Sequence, residues 1–302
     1  MLGLSKQAVH NYAKQQEQFN NQLSDLIVQV DELRKEHPGC GVEKMYKTLS
    51  PEFIGRDKFI EIFMSLGYRV KKVKNYIRTT IPSHLKYPNL IEGMFVTRPN
   101  QVWQSDITYI YINGKFYYIV FIIDVYTREI ISYNVSNNMR KEANVIALNK
   151  AIKSRDLSKQ ELIHHSDRGS QYTSTEYLDI LKKNNIQISM GIKAQDNAFA
   201  ERINGIIKNE YLKHWIINDF NELKTKLKKA VNHYNNKRIH NSLPNKLTPN
   251  KFRNILLTLS DQKRPKVIIY TEGNDKLKEA SSFFEFRPKE NLLAHNCPMV
   301  IN

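Results

Sequence analysis

The segment VWQSDITYIYI, residues 102–112, sets one carboxylate, Asp106, inside a run of aromatic and β-branched residues. Such a run reads as a strand. A charge in mid-strand is expensive to bury without compensation, so Asp106 has to meet a cation or a polar partner at the open face of a sheet. Two more strand-like runs follow, KFYYIVFIIDVY (115–126) and REIISYNVS (128–136), the first after the turn Asn113-Gly114. Asn-Gly between strands favours a two-residue hairpin, and the three runs predict an antiparallel meander. The texture then alternates: a helix in RKEANVIALNKAIKSR, a strand ELIHH, a helix around STEYLDILKKN, a strand IQISM and a long helix from about residue 197. A meander followed by alternating helices and strands predicts a mixed α/β sheet flanked by helices. An amphipathic helix at 219–235 is expected to pack on it through Phe220, Leu223, Leu227, Val231 and Tyr234.

Residues 1–70 carry a different pattern and read as a small all-α module. SDLIVQVDELRKEH (24–37) offers Ser24 as a helix cap and Leu26, Val30 and Leu33 as an apolar stripe, before PGCG stops it. VEKMYKTLS gives a second helix, and GRDKFIEIFMSLGYRV a third with Phe59, Ile62, Phe63 and Leu66 on one face. Three short helices with tight turns suit a helix-turn-helix-like DNA-binding module, although plain three-helix packing accounts for the same pattern. Residues 62–91 contain no acidic residue, and Lys71, Lys72 and Lys74 lie in that stretch, which reads as a phosphate-tracking arm and linker over 71–94. The catalytic core with its C-terminal helices then spans 95–252, and 253–302 is an extension of unassigned role with a possible strand at KVIIY.

The overall balance agrees with a polyanionic partner. In 302 residues, 46 Lys and Arg stand against 30 Asp and Glu, a formal charge of +16. No apolar run is long enough to span a membrane and the N-terminal stretch has no secretory pattern, so a cytoplasmic protein is expected. Cys40 and Cys297 lack metal-ligand spacing, which argues against a structural zinc site or a disulfide framework.

Two more acids stand out. Asp167, in HHSDRGSQYTS, ends the strand ELIHHSD, where a turn role and a site role are both open. In DNAFAERINGIIKNEYL, helical arithmetic at 100° per residue sets Phe199, Ile203, Ile206 and Glu210 opposite Glu201, which frees Glu201 to face a site. The same arithmetic returns Lys208 to the face of Glu201 two turns on, while Asp196 and Asn197 fall at the helix start as candidate caps. Three carboxylates from two strands and a helix suit two divalent ions bridging a phosphodiester, and oxygen-only donors favour Mg²⁺ or Mn²⁺ over zinc. Of the neighbours His164 and His165, one at most can face such a site, and ordinary packing suits both.

WQSDITYI, HHSDRGSQYTS, DNAFAERINGIIKNEYL and YNNKRIHNSLPNKLTPNKF resemble, in that order, blocks of the second-frame (OrfB) transposases of the IS-three group of bacterial insertion sequences. The resemblance covers roughly residues 25–252 and implies an RNase H-like, retroviral-integrase-type core. It implies that Asp106, Asp167 and Glu201 form a DDE metal triad, with two Mg²⁺ or Mn²⁺ ions per active site. It makes Lys208 a contact to DNA at the element's end, and Arg202 and Lys193 beside the glutamate helix are further DNA-binding candidates. The implied activity is metal-dependent cleavage and 3′-OH strand transfer on double-stranded DNA, at terminal inverted repeats and at a target. The implied setting is a homo-oligomer assembled on nucleoid DNA, with an upstream-frame protein or fusion as a further partner. Three departures bear on loops: the spacing from Asp167 to Glu201 is two residues shorter than usual, AQDN replaces the frequent CYDN, and Ile239 stands where the family mostly has proline. A hydrolytic RNase H-like nuclease and a non-catalytic DNA-binding protein are the rival readings; a tyrosine recombinase rests on tyrosines that mostly lie in core strands and is set aside.

Overall fold

Residues 6–70, 87–154, 161–191 and 194–269 are described in the computed structural model. Among them, one unit joins the N-terminal helices with Ile110–Tyr117 and Arg202–Ile239, and a second holds the residues up to Tyr109, Tyr118–Glu201 and those from His240 on. Lys71, Lys72, Lys74 and Lys193, and most of the C-terminal extension, lie outside the described residues.

The first unit begins with α1 (Lys6–Glu36), α2 (Val42–Leu49) and α3 (Arg56–Ser65). α1 overturns the expectation that Ser24 opens a helix. Residues 6–23 are rich in Gln and contain no Gly or Pro, so the helix already runs through Ser24, whose Oγ donates to the Asn20 carbonyl at 2.9 Å. Leu26, Val30, Cys40, Met45, Phe59 and Phe63 form the shared core. Leu66, expected on that apolar face, is the C-cap of α3 and is 51% exposed.

In the second unit, apart from the hairpin tip Ile110–Tyr117, β1 (Phe95–Val96) precedes β2 (Val102–Ile112), β3 (Lys115–Asp124) and β4 (Ile130–Ser136). Asn113 and Gly114 both take positive φ, 45° and 82°, as a two-residue hairpin turn of matching twist requires. At the far end the buried Asp124 carboxylate accepts from Tyr126 N at 2.7 Å and Thr127 N at 2.8 Å, which shapes the turn into β4. Next come α4 (Glu142–Ser154), β5 (Leu162–Ser166), α5 (Thr175–Lys183) and β6 (Ile186–Met190). The strand order is β4-β3-β2-β5-β6, with β3 and β4 antiparallel and β2, β5 and β6 parallel. The sheet is mixed, as the alternation of segments implied.

Period-2 alternation divides the strands between two cores. Trp103, Ile107 and Leu162 join Leu148, Tyr177 and Leu181 of α4 and α5 on one face. Val102 and Ile163 join Phe252 and Leu256 on the other.

α6 (Ala198–Ile206) starts after a 3-10 turn at Ala194–Asn197 and does not continue as one long helix. A π-turn, Ile207–Tyr211, and a 3-10 turn, Leu212–His214, follow it. α7 (Phe220–Asn236) is capped by Asp219, whose side chain accepts from Asn221 N and Glu222 N, and it clusters with the N-terminal helices. α8 (Pro249–Leu257) is capped by Thr248 and supplies Phe252 and Leu256 to the sheet. Of KVIIY, Val267–Ile268 forms β7, antiparallel to β1. No helix among the described residues is long and apolar enough to cross a membrane.

Candidate active site

β2 and β5 pair as Val102↔Ile163, Trp103↔His164, Gln104↔His165 and Ser105↔Ser166. The next residue in each chain segment is an aspartate, Asp106 within β2 and Asp167 just past the end of β5. Neighbouring strands stand about 4.8 Å apart, so the two carboxylates leave the end of the ladder side by side. Within β2, alternation sets Asp106 on the face that carries Val102 and Gln104. Both charges reach the buried Tyr172 hydroxyl, whose pKa is raised well above the ordinary value by burial first and then by Tyr177, Asp106 and Asp167. Asp167 is also the turn residue that its glycine-bearing context suggested: Oδ1 accepts from Gly169 N at 3.0 Å. The two roles coexist in one carboxylate.

Glu201 lies in the first turn of α6, on its exposed face. Two buried amides brace the start of that helix against β2. Gln104, two residues before Asp106 on the same face, accepts from Ala200 N at 3.2 Å and donates to the Asp196 carbonyl at 3.1 Å. Asn197 Nδ2 donates to the Ser105 carbonyl at 2.9 Å, so it serves as a cross-brace where a helix cap was expected. The Glu201 pKa is raised by partial burial and then by the negative charge of Asp167. Repulsion between carboxylates is therefore already present at the site.

That repulsion and the all-oxygen donor set fit a hard divalent cation. The three acids do not close on one point, however: among the described residues no three His, Cys, Asp or Glu side chains are grouped as a metal cage. Both histidines serve packing. His164 Nε2 pairs with Tyr177 Oη at 2.9 Å and His165 Nδ1 with Ser189 Oγ at 2.8 Å, and burial pulls their pKa values down to about 3 and about 4. Arg202 is exposed next to Glu201. Lys208 falls within the π-turn, so rotation at 100° per residue does not carry through to it.

Gln104 and Asn197 were missed from sequence. A signal for Gln104 existed, since a polar residue two positions from Asp106 shares its face and must find partners when buried. Nothing local marks Asn197 as a brace, because its partner lies 92 residues away.

Models of the integrase core domain match residues 96–195 and 183–249. The chain is 32% identical to a 31 kDa protein of insertion element IS600 from Shigella sonnei, over 84% of this chain and 96% of that one. It is 30% identical to the transposase of insertion sequence IS629 from the same organism, over 77% and 82%. Among solved structures, the HTLV-2 integrase catalytic core domain aligns with a TM-score of 0.42 at 22% identity, over 52% of this chain and 97% of that one. The two Shigella relatives, aligned over most of their own lengths, carry the conclusion: the chain belongs to the IS-three group of insertion-sequence transposases, polynucleotidyl transferases of the DDE type with an integrase core domain.

Proposed function

We propose that Asp106, Asp167 and Glu201 are the catalytic triad with which this chain cuts DNA at the ends of its element and joins the freed ends to a new site. The observation that supports the reading is the register of β2 and β5, whose last pair, Ser105↔Ser166, is followed directly by Asp106 in β2 and by Asp167 after β5. Asp106, Asp167 and Glu201 would together hold two Mg²⁺ or Mn²⁺ ions. Such ions supply positive charge at the attacking and leaving oxygens of an in-line displacement. The charge of Asp167 raises the Glu201 pKa, which supports counting Glu201 with the two aspartates.

The chemistry has two balanced displacements. Water attacks a terminal phosphodiester, one P–O bond forms and one breaks, and a 3′-OH leaves. That 3′-OH then attacks a second phosphodiester, so each bond broken is replaced and no external energy source is needed. Arg202 and Lys208, with Lys193, Lys71, Lys72 and Lys74, would neutralise phosphates of the duplex. Two ends have to be cut and joined together, which calls for a homo-oligomer on nucleoid DNA.

The experiment is junction formation from a donor plasmid carrying the element's own terminal repeats in Mg²⁺, with the wild type beside Glu201→Gln. Joined ends from the wild type, reduced on the order of a thousandfold in the variant, are expected. Cut but never joined ends would favour a hydrolytic nuclease. Ends bound and left uncut by both proteins would favour the non-catalytic reading.

A further inference from the structure

α7 presents two unlike faces. Leu223, Leu227, Ala230, Val231 and Tyr234 are buried, which fixes the orientation of the whole helix. Opposite them, Asn221, Thr225, Asn232 and Asn236 form an exposed ridge of uncharged hydrogen-bonding side chains, by the helical arithmetic of 100° per residue. Lysines flank this ridge on both sides, Lys224 and Lys228 along one and Lys226 and Lys229 along the other. Three of the four are held against aromatic rings. Lys224 Nζ lies 4.2 Å from the Phe220 ring centroid, and Lys226 and Lys229 lie 5.7 and 5.8 Å from that of Trp215.

The acidic residues of α7 are confined to its first turn. Asp219 caps the helix, Glu222 accepts from Asn218 N at 2.8 Å, and residues 223–260 contain no Asp or Glu. A face with positive rails and a neutral amide ridge is complementary to one surface in particular. Phosphates border the major groove of duplex DNA on both sides, and its floor offers donors and acceptors that Asn and Thr side chains can read. At 17 residues, α7 is about 25 Å long, enough to lie along the groove.

We propose that the solvent face of α7 is a second DNA-reading surface: Lys224, Lys226, Lys228 and Lys229 track phosphates while Asn221, Thr225 and Asn232 face base edges in the major groove. This rests on the transposase reading and adds to it a helix outside the N-terminal module and the active site. Lysines already ordered on aromatic rings lose less conformational freedom when they meet phosphate.

The test is fluorescence anisotropy of the full chain with two labelled duplexes, one carrying the element's terminal repeat and one with that repeat scrambled, over a salt series without divalent cation. For Lys224→Ala/Lys228→Ala/Lys229→Ala, affinity for both duplexes should fall on the order of tenfold or more, and the salt slope should shrink by about 0.9 for each phosphate no longer neutralised. For Asn221→Ala/Asn232→Ala, the preference for the terminal repeat over the scrambled duplex should fall while the salt slope stays. All five positions are exposed, and unchanged melting temperatures would verify the fold. An unchanged slope in the lysine variant, or an unchanged preference in the asparagine variant, overturns the proposal. Mg²⁺-dependent cutting by the wild type separates it from the reading beneath it. A wild type that binds through α7 and never cuts keeps the proposal and loses the reading, while one that cuts although its lysine variant binds normally loses the proposal alone.

Discussion

Gln104 has no solvent exposure, and both ends of its amide are engaged with the start of the helix that carries Glu201. Gln104→Met keeps the volume and removes both bonds, leaving the buried N–H of Ala200 in α6 without its acceptor at about 1–3 kcal/mol. The expected result is a lower melting temperature together with weaker Mn²⁺ binding by calorimetry. A lower melting temperature with Mn²⁺ binding at the wild-type level would reduce Gln104 to a packing residue. At this scale the acids of the candidate site were legible because each stands out locally: Asp106 interrupts an apolar strand, Asp167 follows one, and Glu201 is opposite an apolar helical stripe. Their supporting residues were not, because a buried amide is defined by partners that only the fold supplies.

Among the elements, the π-turn Ile207–Tyr211 shows where helical arithmetic ends. Glu210, placed on the apolar face from sequence, sits in this turn within a charge cluster of its own unit. Its carboxylate accepts from Arg238 Nε and Nη2, each at 2.8 Å, from Lys44 Nζ at 3.1 Å, and pairs with His37 Nε2 at 2.5 Å. Burial works against that charge, yet the hydrogen bonds from Arg238 and His37 hold its pKa well below the usual carboxylate range. Gly39 N donates to the Glu210 carbonyl at 2.5 Å, an approach so close that a Cβ at Gly39 would run into the Glu210 backbone. Glu210→Gln strands the buried guanidinium of Arg238 without its counter-charge, at a cost of about 3–5 kcal/mol. A large fall in melting temperature, matched by Gly39→Ala through backbone displacement, is the expected outcome; a Glu210→Gln protein as stable as the wild type would refute the account. Short-range signals were legible among the elements, as the Asn113-Gly114 turn and the strand alternation illustrate. The π-turn was not, since its docking depends on residues from 28 to 173 positions away.

Across the whole molecule, a net charge of +16 makes acid the demanding condition, and the buried histidines determine where its effect begins. His233, bonded through Nδ1 to Tyr211 Oη at 2.9 Å, is pulled down to about 4, by burial first and then by His37. His37 is lowered as well, by burial above all. A histidine with a folded pKa below its unfolded value near 6.5 takes up its proton on unfolding, so its contribution is present above pH 6.5 and is lost as pH falls towards the folded value. Glu210, with a depressed pKa, adds a loss that starts lower, below its unfolded value near 4.5. Asp124 and Glu129, raised by burial, push the other way in the sheet-containing unit, so the histidine effect is best read in the helical one. Between about pH 7 and pH 5 His233 should cost at most about 2 kcal/mol of stability, an upper bound that solvent screening reduces. The protection factors of α7 amides, exchange rates corrected for the intrinsic slowing towards acid, should therefore fall more over that range in the wild type than in His233→Gln. Equal pH dependence in the two proteins would assign the acid sensitivity of this unit to its carboxylates.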